Sequence, residues 1–475
     1  MRILFIVPNS EIDINNVLPK SIDVEQGVPQ PLGIGYLAAA LEQDGHEVKI
    51  LDALLHHLSR KAIQQEIEKF NPNVVGMTAM TSSIPDVIEM AKLIKEVNKN
   101  IKVVIGGPHL SAFPREPLSL QYFDFGVFGD GEYTMQELIN EIQGRKRFNN
   151  IKGLIWKSGG EVIVNQPRLP IENLDAIPFP AYHLMDMNTY GMLGMKTPMS
   201  TMIATRGCPF NCAYCFKDPI WKRFRKRSPK NIVDEMEYII STYGVKEIAF
   251  YNDCWPSKEF VRELCLEMIK RKVDIVWETP QRVDFVDPEL LCLMKRAGCI
   301  KLRFGVESGS KRILKLMNKG ITLEKARLAF KWSREIGIKT FAYFMVGYFT
   351  ESKVDFEQTV EFSKEIDPDW AMYAITTPFP ATKLWDMVVE HLNFDPDYWR
   401  EFSLGERMDR LPYCVPDAVE RCCDAYRRFY YRPKAIMRKF LEIRTFNDLI
   451  TYAKGSFAIL KSEKDDGGRT KEAKI

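Results

Sequence analysis

The sequence predicts an α/β protein: a doubly wound, Rossmann-like sheet at the N-terminus, a second unit of six alternating strands and helices, and a mostly helical C-terminal region. Three observations predict this. Apolar runs of strand length alternate with helical apolar spacing over residues 1–145, the alternation resumes at Ser200 and continues to Ile375, and mainly helical spacing follows. The expected parts are residues 1–145, a hairpin and linker over 146–195, the second α/β unit over 196–385, and a helical region with a disordered tail over 386–475. That division suits a chain of 475 residues, since a domain takes roughly 150.

In the first part, residues 2–7 read as a short buried strand, 32–43 as a helix, and 47–51 as a second strand after the helix stop Asp44-Gly45. A helix over 62–70 leads to a strand over 74–78, and a helix over 86–97 to a strand over 102–105. A fifth strand over 125–128 precedes a helix from Thr134. Five strands joined by helices predict a parallel sheet. Residues 151–164 read as a hairpin around Gly159-Gly160, and 167–182 as a Pro-rich linker. In the second unit the strands are expected at 200–205, 247–251, 275–278, 300–306, 340–346 and 371–375, with helical spacing between them.

Composition excludes several classes. Apolar residues at 45% and charged residues at 27% are ordinary for a globular chain, which rules out disordered, collagen-like and low-complexity proteins. Lys and Arg number 66 against 63 Asp and Glu, a net +3 too small to coat nucleic acid, so no nucleic-acid partner is expected. The first apolar run stops at Pro8 without the longer core and cleavage site of a secretory signal. The longest apolar run, about nine residues around 341–349, is too short to span a bilayer. Cysteines are absent before Cys208 and clustered just after it, a pattern that suits metal binding in a reducing compartment. A soluble, cytoplasmic protein is expected.

Ligands of doubly wound sheets sit outside the carboxyl ends of the strands. Here those ends carry Thr81-Ser82-Ser83, Gly106-Gly107-Pro108-His109 and Gly129-Asp130-Gly131-Glu132. Paired glycines admit close approach to a ligand, and small hydroxyls donate without filling space. No Gly-x-Gly-x-x-Gly follows the first strand, which disfavours a standard dinucleotide site.

The chemistry concentrates at Arg206-Gly207-Cys208-Pro209-Phe210-Asn211-Cys212-Ala213-Tyr214-Cys215. Cys-x3-Cys-x2-Cys offers three soft ligands from one loop, too few to close a tetrahedral zinc site and right for a 4Fe-4S cubane with one iron open to a ligand. The competing reading is a zinc knuckle completed by a distant His or Cys.

With Tyr214 before its third cysteine, this loop resembles the signature of the radical S-adenosylmethionine superfamily. The stretch from Arg303 to Gly309, followed by Asn318-Lys319-Gly320-Ile321-Thr322, resembles a segment of its cobalamin-binding enzymes. Pro31-Leu32-Gly33-Ile34-Gly35-Tyr36 and the glycine loops of the first domain resemble the cobalamin-binding domain of the same subgroup, so the likeness covers residues 1–385. The resemblance implies an open (β/α)6 barrel in the second unit. It also implies a 4Fe-4S cluster on Cys208, Cys212 and Cys215 whose open iron holds S-adenosylmethionine, cleaved to methionine and a 5′-deoxyadenosyl radical. Tyr214, Asp253, Arg282, Glu307 and Ser308 are then expected around that cofactor. Thr81, Ser82, Ser83, Gly106, Gly107, Pro108, His109, Gly129, Gly131 and Glu132 are expected around cobalamin, His109 shaping its loop rather than ligating cobalt.

The sequence departs from the family pattern in places. The Asp-x-His-x-x-Gly motif that supplies a lower axial histidine is absent after the first strand, and His56 and His57 read as surface residues. Tyr348-Phe349-Thr350-Glu351-Ser352 and Pro380-Ala381-Thr382 stand where relatives have Pro-Gly-Glu-Thr and a Gly before Thr. In the C-terminal region Cys414, Cys422 and Cys423 read as buried or idle thiols rather than an auxiliary cluster. Residues 421–444 are basic and aromatic; such a helix can make peripheral contact with an anionic membrane, or present a solvated face over an aromatic core.

The expected activity is methylation of an unactivated carbon, with phosphorus as second choice, in a small-molecule or lipid substrate. A one-electron donor such as flavodoxin or ferredoxin is an expected partner. The rivals are a radical cyclase or rearrangement enzyme with the same cofactors, a transfer-RNA methylthiotransferase, which the lack of cysteines before Cys208 disfavours, and a non-enzymatic cobalamin sensor, which the cysteine loop disfavours.

Overall fold

The computed structural model describes residues 1–9, 27–192, 194–216, 223–255, 257–407 and 413–442. Five parallel strands, β1 (Arg2–Val7), β2 (Glu47–Asp52), β3 (Val74–Thr78), β4 (Lys102–Gly106) and β5 (Phe125–Val127), form the first sheet in the order β2-β1-β3-β4-β5. Both faces are covered, and the strand period shows it: Ile3 and Phe5 enter one apolar layer, Leu4 and Ile6 the other. Helices Leu32–Gln43 and Glu132–Gln143 pack on one side, Arg60–Phe70 and Ile84–Val97 on the other.

The hairpin is not a separate linker element. Its strands β6 (Leu154–Ser158) and β7 (Glu161–Val164) add antiparallel to β5, with Phe125 opposite Trp156, and extend the sheet to seven strands. Leu154 and Ile155 are both buried, one on each face, so the pairing covers what would be an open edge at β5.

The second sheet holds β8 (Met199–Met202), β9 (Glu247–Phe250), β10 (Val276–Gln281), β11 (Cys299–Glu307), β12 (Lys339–Val346) and β13 (Trp370–Ile375), all parallel and in sequence order. β8 and β13 are not paired, so the six-stranded unit is open, as expected of an open (β/α)6 barrel. Thr340, Ala342, Phe344 and Val346 are buried, while Phe341, Tyr343 and Met345 between them remain partly accessible. One face packs on helices and the other lines a lumen. The expected strand at 200–205 is split: β8 stops at Met202, and Thr205–Arg206 pairs antiparallel with Arg225–Lys226. That small ladder brackets the cysteine loop.

The basic C-terminal segment has a structural role. Helix Ala418–Tyr430 turns Cys422, Ala425, Tyr426 and Phe429 into the core, and its tyrosines cap the free edge of β13. The Ala371 N–H donates to the Tyr430 hydroxyl at 3.0 Å, which donates back to the Ala371 carbonyl at 2.8 Å; the Tyr373 N–H donates to the Tyr426 hydroxyl at 3.2 Å. Arg432, Lys434 and Arg438 converge on Asp367, and Arg428 on Glu357. Of the two readings expected for this segment, the aromatic core under a solvated basic face is the one the helix presents, and its aromatic side seals an edge of the open sheet. Cys414, Cys422 and Cys423 are buried, and residues 443–475 with the expected tail lie outside the described residues. No helix among the described residues is long and apolar enough to cross a membrane.

Replacing Tyr430 with Phe strands both edge groups of Ala371. Denaturant unfolding should show a loss of about 1–3 kcal/mol, since buried groups lose their partners while the ring stays.

Candidate functional site

The carboxyl ends of both sheets open onto one crevice, of about 280 Å³. From the first unit it is lined by Gly33, Tyr36, Gly76, Thr78, Gly106, Gly107, Pro108, Gly129, Asp130, Gly131 and Glu132; from the second by Ile203, Thr205, Arg206, Gly207, Arg225, Tyr251 and Asp253. Gly107 is spatially required. A side chain at Gly107, φ +98°, would meet the Thr78 hydroxyl at 2.5 Å and the Ala79 carbonyl at 2.7 Å.

Four buried charges join the two walls. Asp130 accepts from Arg206 at 3.3 Å and pairs with Arg225, while its carboxylate also takes the Ile171 N–H at 2.9 Å. Glu132 accepts from Arg206 at 2.6 Å, and Arg206 lies 5.1 Å over the Tyr36 ring. Burial alone would raise the Asp130 pKa; Arg206 and Arg225 outweigh it and hold the carboxylate below the usual range. The remaining oxygen of Glu132, Oε2, is buried without a partner.

The cysteine loop is held from three sides. Asn252 accepts from the N–H groups of Ala204 and Thr205 at 2.8 and 3.2 Å, and Asp253 from that of Gly207 at 2.7 Å. The Ala213 N–H donates to the Met317 carbonyl and the Leu384 N–H to that of Ala213, each at 2.8 Å, and Asn318 donates to the Asn211 carbonyl at 2.8 Å. Arg282, paired with Asp284 at 2.9 Å, stacks 3.8 Å over the Phe210 ring. Cys208 and Cys212 are half-buried, Cys215 is exposed, and none of the three is in a disulfide.

Behind the loop, Lys319 donates to Glu307 at 2.7 Å and to the Tyr214 hydroxyl at 3.2 Å. Burial, then the Glu307 charge, pushes the Tyr214 pKa well up. Glu307 has φ +67°, a left-handed conformation costing about 1–3 kcal/mol that clusters at functional sites. Gly305 makes room for this pair, because a side chain there would stand 2.6 Å from the Glu307 carboxylate and 2.9 Å from Lys319.

The expected residues therefore divide. Asp253, the Gly106–Pro108 turn, Gly129, Gly131 and Glu132 line the crevice; Tyr214 and Glu307 meet through Lys319; Arg282 braces the cysteine loop. Ser308 is turned away, fully buried, with its hydroxyl 2.9 Å from that of Thr359. Thr81, Ser82 and Ser83 form a helical turn outside the crevice wall, where the Ser83 hydroxyl takes the Met80 N–H at 3.1 Å. His109 is fully buried, 3.2 Å from the Thr81 hydroxyl, and burial pushes its pKa down to about 3. It shapes its loop as a neutral ring. Sequence reasoning picked out the Asn252-Asp253 strand end, gave Tyr36, Arg206 and Lys319 no role of their own within the motifs that contain them, and missed Arg225. Arg206 beside the motif and Asp130 in a glycine loop carried the signal, two opposite charges on different domains.

The donor set fits an iron–sulfur cluster: three soft ligands on one braced loop, each available for its own iron. Among the described residues no group of three His, Cys, Asp or Glu side chains is gathered tightly enough to hold a single metal ion. Buried polar atoms without partners stand at four strand ends of the second unit: Asn252 Nδ2, Gln281 Nε2, the Tyr348 hydroxyl and the Thr376 hydroxyl. Native interiors seldom leave such groups unpaired, and a polar cofactor would satisfy them. No histidine is among the described residues lining the crevice.

A doubly wound domain facing a three-cysteine loop across one crevice defines a two-domain enzyme built to bring two cofactors together. Residues 22–139 match the B12 binding domain model and residues 202–363 the radical SAM superfamily model. The chain is 33% identical over 94% of its length to an uncharacterized methyltransferase of Pyrococcus horikoshii, covering 96% of that protein. It is 30% identical over 90% of its length to an anaerobic magnesium-protoporphyrin IX monomethyl ester cyclase of Rubrivivax gelatinosus, covering 77% of it. The solved structure of OxsB, a cobalamin-dependent S-adenosylmethionine radical enzyme, superposes with a TM-score of 0.73 at 15% identity, over 97% of this chain and 71% of that one. The chain belongs to the B12-binding radical SAM family and is a cobalamin-dependent radical SAM enzyme.

Anaerobic reconstitution should load about four irons. Replacing Cys208, Cys212 and Cys215 together with Ala should abolish the cluster absorption, while replacing Cys414, Cys422 and Cys423 should leave it. Cobalamin bound to the full chain should show no histidine nitrogen coupling to cobalt in its paramagnetic resonance spectrum; a nitrogen signal traced to His109 would contradict the burial described here.

Proposed function

We propose that the enzyme is a methyltransferase acting on a small-molecule substrate held between the two strand-end surfaces. The shared crevice carries this reading: the loops expected to hold cobalamin and the loop expected to hold the cluster form opposite walls of one cavity, so a substrate between them is within reach of both. Bound there, the cluster with S-adenosylmethionine supplies a carbon-centred radical and cobalamin a methyl group.

The chain's own residues supply position and exclusion of water. Cys208, Cys212 and Cys215 hold the cluster, leaving one iron open. Glu307, fixed by Lys319, and Asp253 present carboxylates toward the ribose and amino groups of S-adenosylmethionine. Gly106, Gly107, Gly129 and Gly131 let the corrin approach the backbone, and the free oxygen of Glu132 accepts from one of its amides. Asp130, Arg206 and Arg225 keep both walls in register, and Tyr251 stands at the mouth of the lumen, where Tyr343, Met345 and Met372 offer an apolar surface to a carbon substrate.

The second reading, a cyclase, is favoured by the identity to the Rubrivivax enzyme. One experiment separates the two. Cobalamin-loaded, reduced enzyme given methyl-deuterated S-adenosylmethionine should release S-adenosylhomocysteine and hold the label before any substrate is added. With substrate, S-adenosylhomocysteine and 5′-deoxyadenosine should appear in about equal amounts. Release of 5′-deoxyadenosine with no S-adenosylhomocysteine would establish the cyclase reading instead.

A further inference from the structure

The lumen of the second unit holds a cation apart from the ion pairs that join the domains. On the inner faces of β11, β12 and β13, Arg303, Phe341, Tyr343, Met345 and Met372 stay partly accessible, so the lumen is a space and not a filled core. The Arg303 side chain, 10% exposed, reaches past β10 to the end of β9. There its Nη2 donates to the Phe250 carbonyl at 2.9 Å, and the guanidinium lies 5.4 Å over the Tyr251 ring. Tyr251 lines the crevice, so the charge stands one side chain away from it.

The protein does not match this charge in full. Arg303 Nη1 is 3.4 Å from Glu278, but that carboxylate also pairs with Lys301, so two cations share one anion. Arg303 Nε is buried without a partner. Glu247 on β9 takes the Lys196 N–H at 3.0 Å, and burial pushes its carboxyl above its ordinary pKa, which weakens it as a second counter-charge. Tyr251 and Tyr343 flank the guanidinium as neutral phenols: burial pushes both hydroxyls up, and Arg303 offsets part of that rise. Burying a guanidinium is costly unless its charge and its donors are met. Arginine is also the side chain whose planar fork fits a carboxylate with two parallel hydrogen bonds. A surplus of one positive charge suits a carboxylate, whereas a phosphate brings more negative charge than the lumen offsets.

We propose that the substrate is a small carboxylic acid, anchored in the lumen with its carboxylate on Arg303 between Tyr251 and Tyr343. Its apolar part then runs past Met345 toward the strand ends, because Met345 stands two residues nearer the carboxyl end of β12 than Tyr343. This rests on the reading of a small-molecule substrate held between the strand-end surfaces, and names its class. Arg303 binds and orients; it forms no covalent bond in turnover.

Full-length protein, R303M and R303K are to be reconstituted with cluster and cobalamin, left unreduced, and titrated with para-fluorobenzoate and, separately, para-fluorobenzamide. Binding is read from the width of the fluorine magnetic resonance line. The two probes share a ring and a size and differ in charge. Wild-type protein should bind the acid at least about tenfold more tightly than the amide, the worth of a hydrogen bond to a charged group. R303M, which keeps the length of the side chain and removes its charge, should lose that preference while still holding about four irons. R303K keeps the charge and should keep the preference for the acid. Should R303M fail to fold, the wild-type preference and its persistence in R303K decide the matter. Equal binding of the two probes by wild type, binding of neither, or acid binding by R303M at wild-type strength would overturn the proposal. Release of S-adenosylhomocysteine before substrate is added needs neither probe, so its absence would defeat the methyltransferase reading alone, a distinct result.

Discussion

The site depends on four charges taken out of water where the two domains meet. Asp130 and Glu132 come from a glycine loop of the first sheet, Arg206 and Arg225 from the ladder that brackets the cysteine loop. Burying one such charge alone would cost several kcal/mol, and an aliphatic replacement of all four would pack at least as stably. What the ion pairs contribute is registry. Two carboxylates on one wall and two guanidinium groups on the other are fully paired only when the glycine loop and the cysteine loop stand in one relative position. The crevice, and the distance between whatever the two loops hold, follow from that arrangement.

Other features reinforce the same placement. The Tyr190 hydroxyl reaches Asp52 at the end of β2 at 2.9 Å, and Gln30 satisfies both the Met199 carbonyl and the Thr201 N–H of β8, tying edge strands of the two sheets to the connecting chain. Helix Tyr398–Leu404 returns from beyond the second sheet to pack Tyr398, Trp399 and Phe402 into the first domain's core. One apolar cluster runs from β1 through the linker to the C-terminal helix. The domains are thus two sheets on a continuous core rather than two bodies on a tether, which suits chemistry needing two cofactors at fixed separation.

The open second sheet creates its own difficulty. A closed barrel has no unpaired strand, whereas β13 ends this one with free backbone groups. The chain meets the need with tyrosine hydroxyls at 426 and 430, which can both donate and accept, on a helix whose following segment gathers Arg432, Lys434 and Arg438 on Asp367. This leaves the lumen accessible from the crevice side while its far edge is sealed.

Much of the fold was legible in the sequence because it is written in short-range periodicity. The alternation of strand and helical spacing located the five parallel strands of the first sheet and the six of the second, and the Cys-x3-Cys-x2-Cys spacing marked the reactive loop, since three ligands within eight residues must come together wherever the chain runs. The tertiary structure decided what depends on distant partners. β6 and β7 joined the first sheet because β5 offered them an edge; the aromatic helix turned inward because β13 lacked a neighbour. Ser308, Thr81 and Ser83 have the chemistry of ligand contacts, yet Thr359, His109 and the turn at Met80 claimed their hydroxyls. Arg206 and Lys319 gained their roles only by meeting Glu132 and Glu307, 74 and 12 residues away along the chain. Periodicity is local and survives in one dimension, whereas a charge, a hydroxyl or a thiol acquires its role from the group the fold sets opposite it.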